Sequence, residues 1–264
     1  MAHPENRLPI EPDLDLPVVG LTIDRGPGIL AAPHHHPVGQ LLYAIEGSLK
    51  VMAEGSAWVV PPERAVWVPA RVRHSVQSVN HTKTRTIYVD QSRFSGLPET
   101  CCVVHVTPLL RELLLELINR PRRYARNTPQ ARLAAVLVDQ IVASPVVPCR
   151  LPMPRSDALG RLVETLAADP TAATLADASA TAGLSPRTFQ RRFAAETGMS
   201  FRAWLQQAKL LKSLEFLSEG RPVGDVSFEL GYETPSAFIA MFRKAFGVTP
   251  GRYFGRDAGA SSVS

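Results

Sequence analysis

The spacing of apolar and polar positions changes along the chain. Between residues 18 and 89 apolar or β-branched residues gather in short runs, at 18–23, 40–45, 48–53, 57–60, 65–68, 74–79 and 85–88, parted by Gly, Pro and charged turns. Many short strands at regular spacing predict a β-sandwich or small barrel. Pro61, Pro62 and Pro69 belong at its edges and turns. The period then becomes helical. One predicted helix carries Leu109, Leu110, Leu113, Leu114, Leu117 and Ile118. A second, capped by Thr128 with Pro129 at its first position, carries Leu133, Val136, Leu137 and Ile141. The first is apolar over more than one stripe, so more than one surface covers it. Packing on the barrel is one reading; a dimer interface is the favoured one. Pro145, Pro148, Pro152 and Pro154 mark a stiff linker at 144–154. From Ser156 onward the pattern is helical throughout.

The helical part contains a repeat. Gly183 suits the left-handed end of a helix, Ser185 its successor's N-cap, and Pro186 the first helical position. Leu184 and Phe189 fit a hydrophobic staple, and Phe189 and Phe193 share a buried face. Arg187, Gln190 and Arg191, with Thr188 beside them, lie on another. Arg and Gln are side chains that pair with base edges through two hydrogen bonds. Thr234, Pro235, Phe238, Phe242, Gly247 and Thr249 repeat Ser185, Pro186, Phe189, Phe193, Gly198 and Ser200 at one constant offset. A solvated basic helix explains one copy, but not a second with the same capping chemistry. The repeat reads as two helix-turn-helix units. In the second, the face equivalent to the basic one carries Ser236, Ala237, Ile239 and Ala240.

Composition adds little. The 264 residues allow two domains, and the net charge of +5 weakly favours an acidic partner. No apolar run is long enough to span a bilayer and no signal-peptide core opens the chain, so no membrane is expected and a cytoplasmic location is. Cys101, Cys102 and Cys149 have no zinc spacing and read as reduced structural thiols, with a redox sensor as the minor alternative. Arg120, Arg122, Arg123 and Arg126 read as a solvated basic turn.

Gly28, His34, His36, Gln40 and Gly47 form G-x5-H-x-H-x3-Q-x6-G, which resembles the first cupin motif with Gln in place of its usual Glu. Pro69 and His74 resemble the core of the second motif, although Glu63, Arg71 and Ser78 depart from it. The resemblance implies that His34, His36, Gln40 and His74 converge inside a barrel on a divalent metal. Imidazole suits Ni, Zn, Fe or Cu, and such a site should weaken as its histidines protonate near pH ~6.5. His34 and His36 would alternate onto one strand face, leaving His35 exposed. A metal-free barrel that binds an organic ligand stays open.

Phe228-Glu229-Leu230-Gly231-Tyr232, Phe238, Phe242-Arg243-Lys244, Phe246-Gly247-Val248-Thr249-Pro250 and Tyr253 resemble the AraC/XylS signature over about 155–256. Lys209 departs mildly from that pattern. The family joins two helix-turn-helix units by one long helix, and a cupin-like sensor is its usual N-terminal partner. The resemblance implies an α+β multidomain chain: a cupin β-barrel, linker helices and an all-α double helix-turn-helix domain. The expected parts are an arm at 1–17, a sensor at 18–95, linker and dimerisation helices at 105–143, the linker at 144–154, the DNA-binding domain at 155–256 and a tail at 257–264. It also implies a non-enzymatic transcription regulator that binds double-stranded DNA, a small-molecule or metal effector and a second copy of itself, and RNA polymerase if it activates. Base contacts would fall to Arg187, Gln190 and Arg191. The runner-up is a metal-dependent cupin enzyme, such as a dioxygenase, with a helical appendage. That reading leaves the repeated caps without a purpose.

Overall fold

Strands β1 (Val18–Arg25) and β8 (Thr82–Val89) pair antiparallel along their whole length, with Val18 opposite Val89 and Arg25 opposite Thr82. The computed structural model, which describes residues 16–120, 124–125, 127–171 and 174–254, builds two sheets around this pair. One runs β1-β8-β3-β6-β9-β10, adding β3 (Gly39–Glu46), β6 (Arg64–Val68), β9 (Cys102–His105) and β10 (Val146–Val147). The other contains β2 (Leu30–His34), β4 (Leu49–Ala53), β5 (Ser56–Val60), β7 (His74–Ser78) and β11 (Arg150–Pro152), in the order β11-β5-β4-β7-β2.

The six-stranded sheet is buried on both faces. One carries Leu41, Tyr43, Trp67, Ile87 and Val89. These pack with Leu110, Leu114 and Leu117 of α1 (Pro108–Asn119) and Leu137, Val138 and Ile141 of α2 (Pro129–Ala143). Each such leucine contributes roughly 1.5–3 kcal/mol relative to exposure. A Cβ on Gly20 would lie 2.6 Å from Ile118 Cγ1, so only glycine lets β1 and α1 approach this closely. The alternate residues, among them Gln40, Thr86 and Tyr88, face inward.

Several expectations need correction. The sandwich does not end near residue 95, because β9 and β10 extend its larger sheet. The stretch at 144–154 carries the edge strands β10 and β11, with Pro152 ending β11 and Pro145, Pro148 and Pro154 outside both. The helices α1 and α2 cover the sheet. Leu117 is only 4% exposed and belongs to the core, while Leu109 stays 53% exposed. The chain passes from one compact unit to the next at Arg150–Leu151. Residues 1–15 of the expected arm, Arg122, Arg123, Arg126 and the tail lie outside the described residues.

The second unit contains α3 (Asp157–Ala168), α4 (Leu175–Thr181), α5 (Pro186–Thr197), α6 (Phe201–Ser218), α7 (Val223–Glu229), α8 (Pro235–Phe246) and α9 (Pro250–Tyr253). Its spine is α6, which buries Phe201, Trp204, Leu211, Leu214 and Leu217. Phe189 and Phe193 pack on the start of this helix, with ring centroids 5.1 and 5.4 Å from Phe201. Phe238, Phe242, Phe246 and Tyr253 form the matching cluster, with neighbouring centroids 4.7 to 5.9 Å apart. The Glu196 carboxylate, on the last turn of α5, accepts from the N–H groups of Arg155 and Ser156 and from the Ser156 hydroxyl, tying down the start of α3.

Candidate functional site

In the second unit the local capping chemistry fixes the exposed helix faces. Ser185 Oγ accepts from the Thr188 N–H and Thr234 Oγ1 from the Ala237 N–H, each at 3.3 Å. Pro186 and Pro235 start the two helices, and Gly198 and Gly247 end them in the left-handed region, at φ 72° and 78°. The turns before them differ by one residue. Leu184 N donates to Ser179 O and Tyr232 N to Ser227 O, both at 3.0 Å, so the first helices and turns match 48 positions apart. Beyond the turn the offset is 49, and Glu233 is the added residue.

Arg187, Gln190 and Arg191 are exposed on α5, and Thr188 is half-buried with its hydroxyl bonded to Ser185 Oγ at 3.0 Å. A concavity of about 680 Å³ opens beside them, with Arg202 of α6 on its wall. Sequence reasoning missed Arg202. The signal was there: a cation in a helix's first turn opposes the helix dipole unless an anion faces it. In α8, Ser236, Ala237 and Ala240 are exposed and Ile239 is half-buried, with exposed Arg243 and Lys244 in the last turn.

The first unit brings the motif histidines together. Ring centroids lie 4.9 Å apart for His34 and His36, 4.4 Å for His34 and His74, and 5.6 Å for His36 and His74. One ligand atom from each lies within 4.8 Å of the others. They do not converge by strand alternation, because β2 ends at His34 and His36 sits in the following turn. His35 is exposed, as expected. Gln40 bridges His74 Nε2 at 2.9 Å and the Tyr88 hydroxyl at 3.2 Å, joining the two sheets. Tyr88 is the member that sequence reasoning missed.

Burial first, then the neighbouring imidazoles, lower the pKa of His36 to about 4. Burial lowers that of His74 to about 4 as well, against the raising effect of its bond to Val72 O. Both rings are therefore neutral at pH 7. A neutral His74 that donates from Nδ1 to Val72 O has only a lone pair at Nε2. Without a cation the Gln40 amide N–H donates to that nitrogen while its oxygen accepts from Tyr88; with one, its N–H faces Tyr88, and its oxygen and the His74 nitrogen, 2.9 Å apart, both turn to the ion. Burial raises the Tyr88 hydroxyl to about 12, which keeps it a donor.

The cluster fits a transition metal. His36 Nε2 is buried and makes no hydrogen bond among the described residues, and His34 bonds through Nδ1 to Ala32 O, leaving its Nε2 available. Three imidazole nitrogens and an amide oxygen suit Ni, Zn, Fe or Cu better than Mg or Ca. The cysteines stand apart. Burial and then Glu54 push Cys102 up to about 11, burial pushes Cys149 up to about 12, and Cys101 is raised further for the same reasons as Cys102, so all three stay protonated thiols.

The model of the AraC-like ligand binding domain matches residues 17–140, and that of a helix-turn-helix domain matches residues 178–256. The HTH-type transcriptional regulator NimR of Escherichia coli is 36% identical over 259 residues, covering 97% of this chain and 94% of that protein. The chain belongs to the AraC family. This AraC-family chain is thus a transcriptional regulator with a ligand-binding domain and a helix-turn-helix DNA-binding domain. The transcriptional activator NphR of a Rhodococcus species is 43% identical over 81 residues, 30% of this chain and 24% of that one. Among solved structures, the DNA-binding domain of AdpA in complex with a target DNA is 27% identical over 40% of this chain and all of its own, with a TM-score of 0.36. ToxT of Vibrio cholerae, 11% identical, covers 91% of this chain and 99% of its own, with a TM-score of 0.38. Among the described residues no helix is long and apolar enough to cross a membrane.

Proposed function

We propose that the regulator reads its operator mainly with Arg187, Gln190 and Arg191, and that Thr188 serves the cap and the nearby backbone. The observation that carries this is an exposed basic face on a helix fixed at both ends, with Arg202 across the adjoining concavity. Arg202 and the N-terminus of α6 suit a phosphate, which sets register without reading sequence. Ser236, Ala237, Ile239 and Ala240 offer few hydrogen bonds, so the second unit positions itself by phosphate and thymine-methyl contact. The protein acts as a non-enzymatic switch on DNA in the cytoplasm. Its homodimer would use the apolar surface that α1 and α2 leave exposed, Leu109 and Val136. It would contact RNA polymerase if it activates.

The sensing end is the His34, His36 and His74 cluster. His36 Nε2, buried and unpartnered, supports a resident metal, with Gln40 supplying an amide oxygen. Bound there, a metal would supply a Lewis-acidic position toward an effector. The low pKa values extend metal retention below the pH ~6.5 expected from ordinary histidines. The test is elemental analysis and gel shift on tag-free protein. Wild type should carry Ni, Zn, Fe or Cu and shift DNA from upstream of its own gene. His36→Ala with His74→Ala should lose the metal and keep the shift. Metal-free wild type that takes up none of the four in calorimetry overturns the metal. Wild type that shifts no DNA from that region or from a random-sequence library overturns the operator reading.

A further inference from the structure

Strand β8 carries polar groups where a sandwich core needs none. Its residues alternate, with Lys83 and Arg85 outward, Ile87 and Val89 beneath the helices, and Thr82, Thr84, Thr86 and Tyr88 toward the facing sheet. These four are 2%, 3%, 0% and 2% exposed. The three threonine hydroxyls have no hydrogen-bond partner among the described residues. The register puts Arg25 opposite Thr82, on the same inward face. Its guanidinium is partly buried, and burial lowers its pKa. No described carboxylate pairs with it.

Each unpaired hydroxyl in a core is a cost that valine at the same place would avoid. Three on one strand, with an arginine at the end that no described carboxylate pairs, form a set of groups that a ligand can satisfy. We propose that this inward stripe is the effector seat and that the effector is an oxygenated organic acid. Its carboxylate sits on Arg25 and its hydroxyl or carbonyl oxygens face Thr84 and Thr86. The inference rests on reading the first unit as the sensor and goes beyond it by naming the ligand class.

The chemistry selects that class. A guanidinium fork matches a carboxylate with two parallel hydrogen bonds. Threonine donates or accepts, so hydroxyl and carbonyl oxygens both suit it. A cationic ligand would meet Arg25, and a purely apolar one would leave the hydroxyls unpaired. Tyr88 touches both regions: it lies on the stripe and bonds to Gln40, which bonds to His74. An acid in the stripe is therefore next to the histidine cluster through one shared side chain.

The experiment uses full-length protein and a fixed set of probes: lactate, malate, 2-oxoglutarate, gluconate and citrate, with glycerol, sorbitol and glucose as neutral counterparts at matched ionic strength. Thermal shift and calorimetry read binding, and gel shift reads the consequence. At least one acid should bind saturably at one site per chain, and no neutral counterpart should match it. Arg25→Gln, and separately Thr84→Val with Thr86→Val, should weaken that acid about 10- to 100-fold. The valine pair should keep or raise the melting temperature of the ligand-free protein, which shows that it folds. Absence of binding by every acid overturns the proposal, and so does binding that neither variant weakens. If a polyol or a metal alone changes DNA affinity while no acid binds, the sensor reading stands and the acid class falls. If an acid binds through Arg25 but never changes DNA affinity, the seat stands and the sensor reading falls.

Discussion

Helices α5 and α8 repeat the same cap, first-position proline, buried phenylalanine pair and left-handed glycine. On the exposed side the repeat stops. Arg187, Thr188, Gln190 and Arg191 of the first unit stand where the second has Ser236, Ala237, Ile239 and Ala240. The buried and capping positions hold the fold, so they tolerate little change. The exposed positions contribute almost nothing to it and are free to serve DNA. Two copies of one scaffold can therefore divide the work, one reading sequence and the other holding on.

The strongest test strikes the shared part. Phe193 and Phe242 are both 0% exposed. Phe193→Ala and Phe242→Ala should each cost about 3–5 kcal/mol in urea denaturation. Nearly equal losses would confirm equivalent scaffolds; a loss for Phe242→Ala of less than half the other would break the comparison at its base.

A second test uses pH. All seven histidines precede residue 106, so the second unit has none. The folded pKa of His74, about 4, lies below its ordinary 6.5. Between those values the unfolded chain takes up a proton that the folded sensor refuses. Sensor stability should thus fall as the pH drops from 6.5 to 4, by on the order of 3 kcal/mol for this residue, and stay flat above 6.5. Hydrogen exchange on the full chain should show sensor peptides losing protection while α5 and α8 keep theirs alike. Divergence of α5 from α8 in that window would mean that the two units are not held by the same forces.

The finest test is on the faces. Arg191→Ala should cost about 1–3 kcal/mol at one base pair, and Ala240→Ser less than about 0.5 kcal/mol at any. Affinities for every single-base variant of the operator would measure both. A uniform loss across sequences for Arg191→Ala would reduce that contact to a phosphate and erase the division of labour.

What could be read from sequence follows the range of the forces involved. Caps, the Phe pairs and the closing glycines act within one helix, so Ser185 and Thr234 could be recognised without a structure. His34, His36 and His74 could be picked out by spacing, although a turn and not a strand face brings them together. The rest depended on partners distant in sequence. Thr82 and Thr84 alternate with Lys83 and Arg85, so no apolar signal marked that half of β8. Its inward face becomes visible only when Arg25 and Tyr88 are seen beside it. The prolines of 144–154 suggested a linker because edge strands and linkers tolerate proline for the same reason, the missing N–H. In α1, both covered and uncovered leucines read as apolar, and only the sheet separates Leu117 from Leu109.

The added Glu233 has a consequence for how such proteins diversify. It enters the second unit between the turn glycine and the cap, leaving the twelve-residue helix beyond it in step with its counterpart. Everything from the cap to the left-handed glycine therefore behaves as a cassette with standard ends. Recombination, or an engineer, can lengthen the joint in front of it or exchange the whole piece between copies without disturbing the register of its contents.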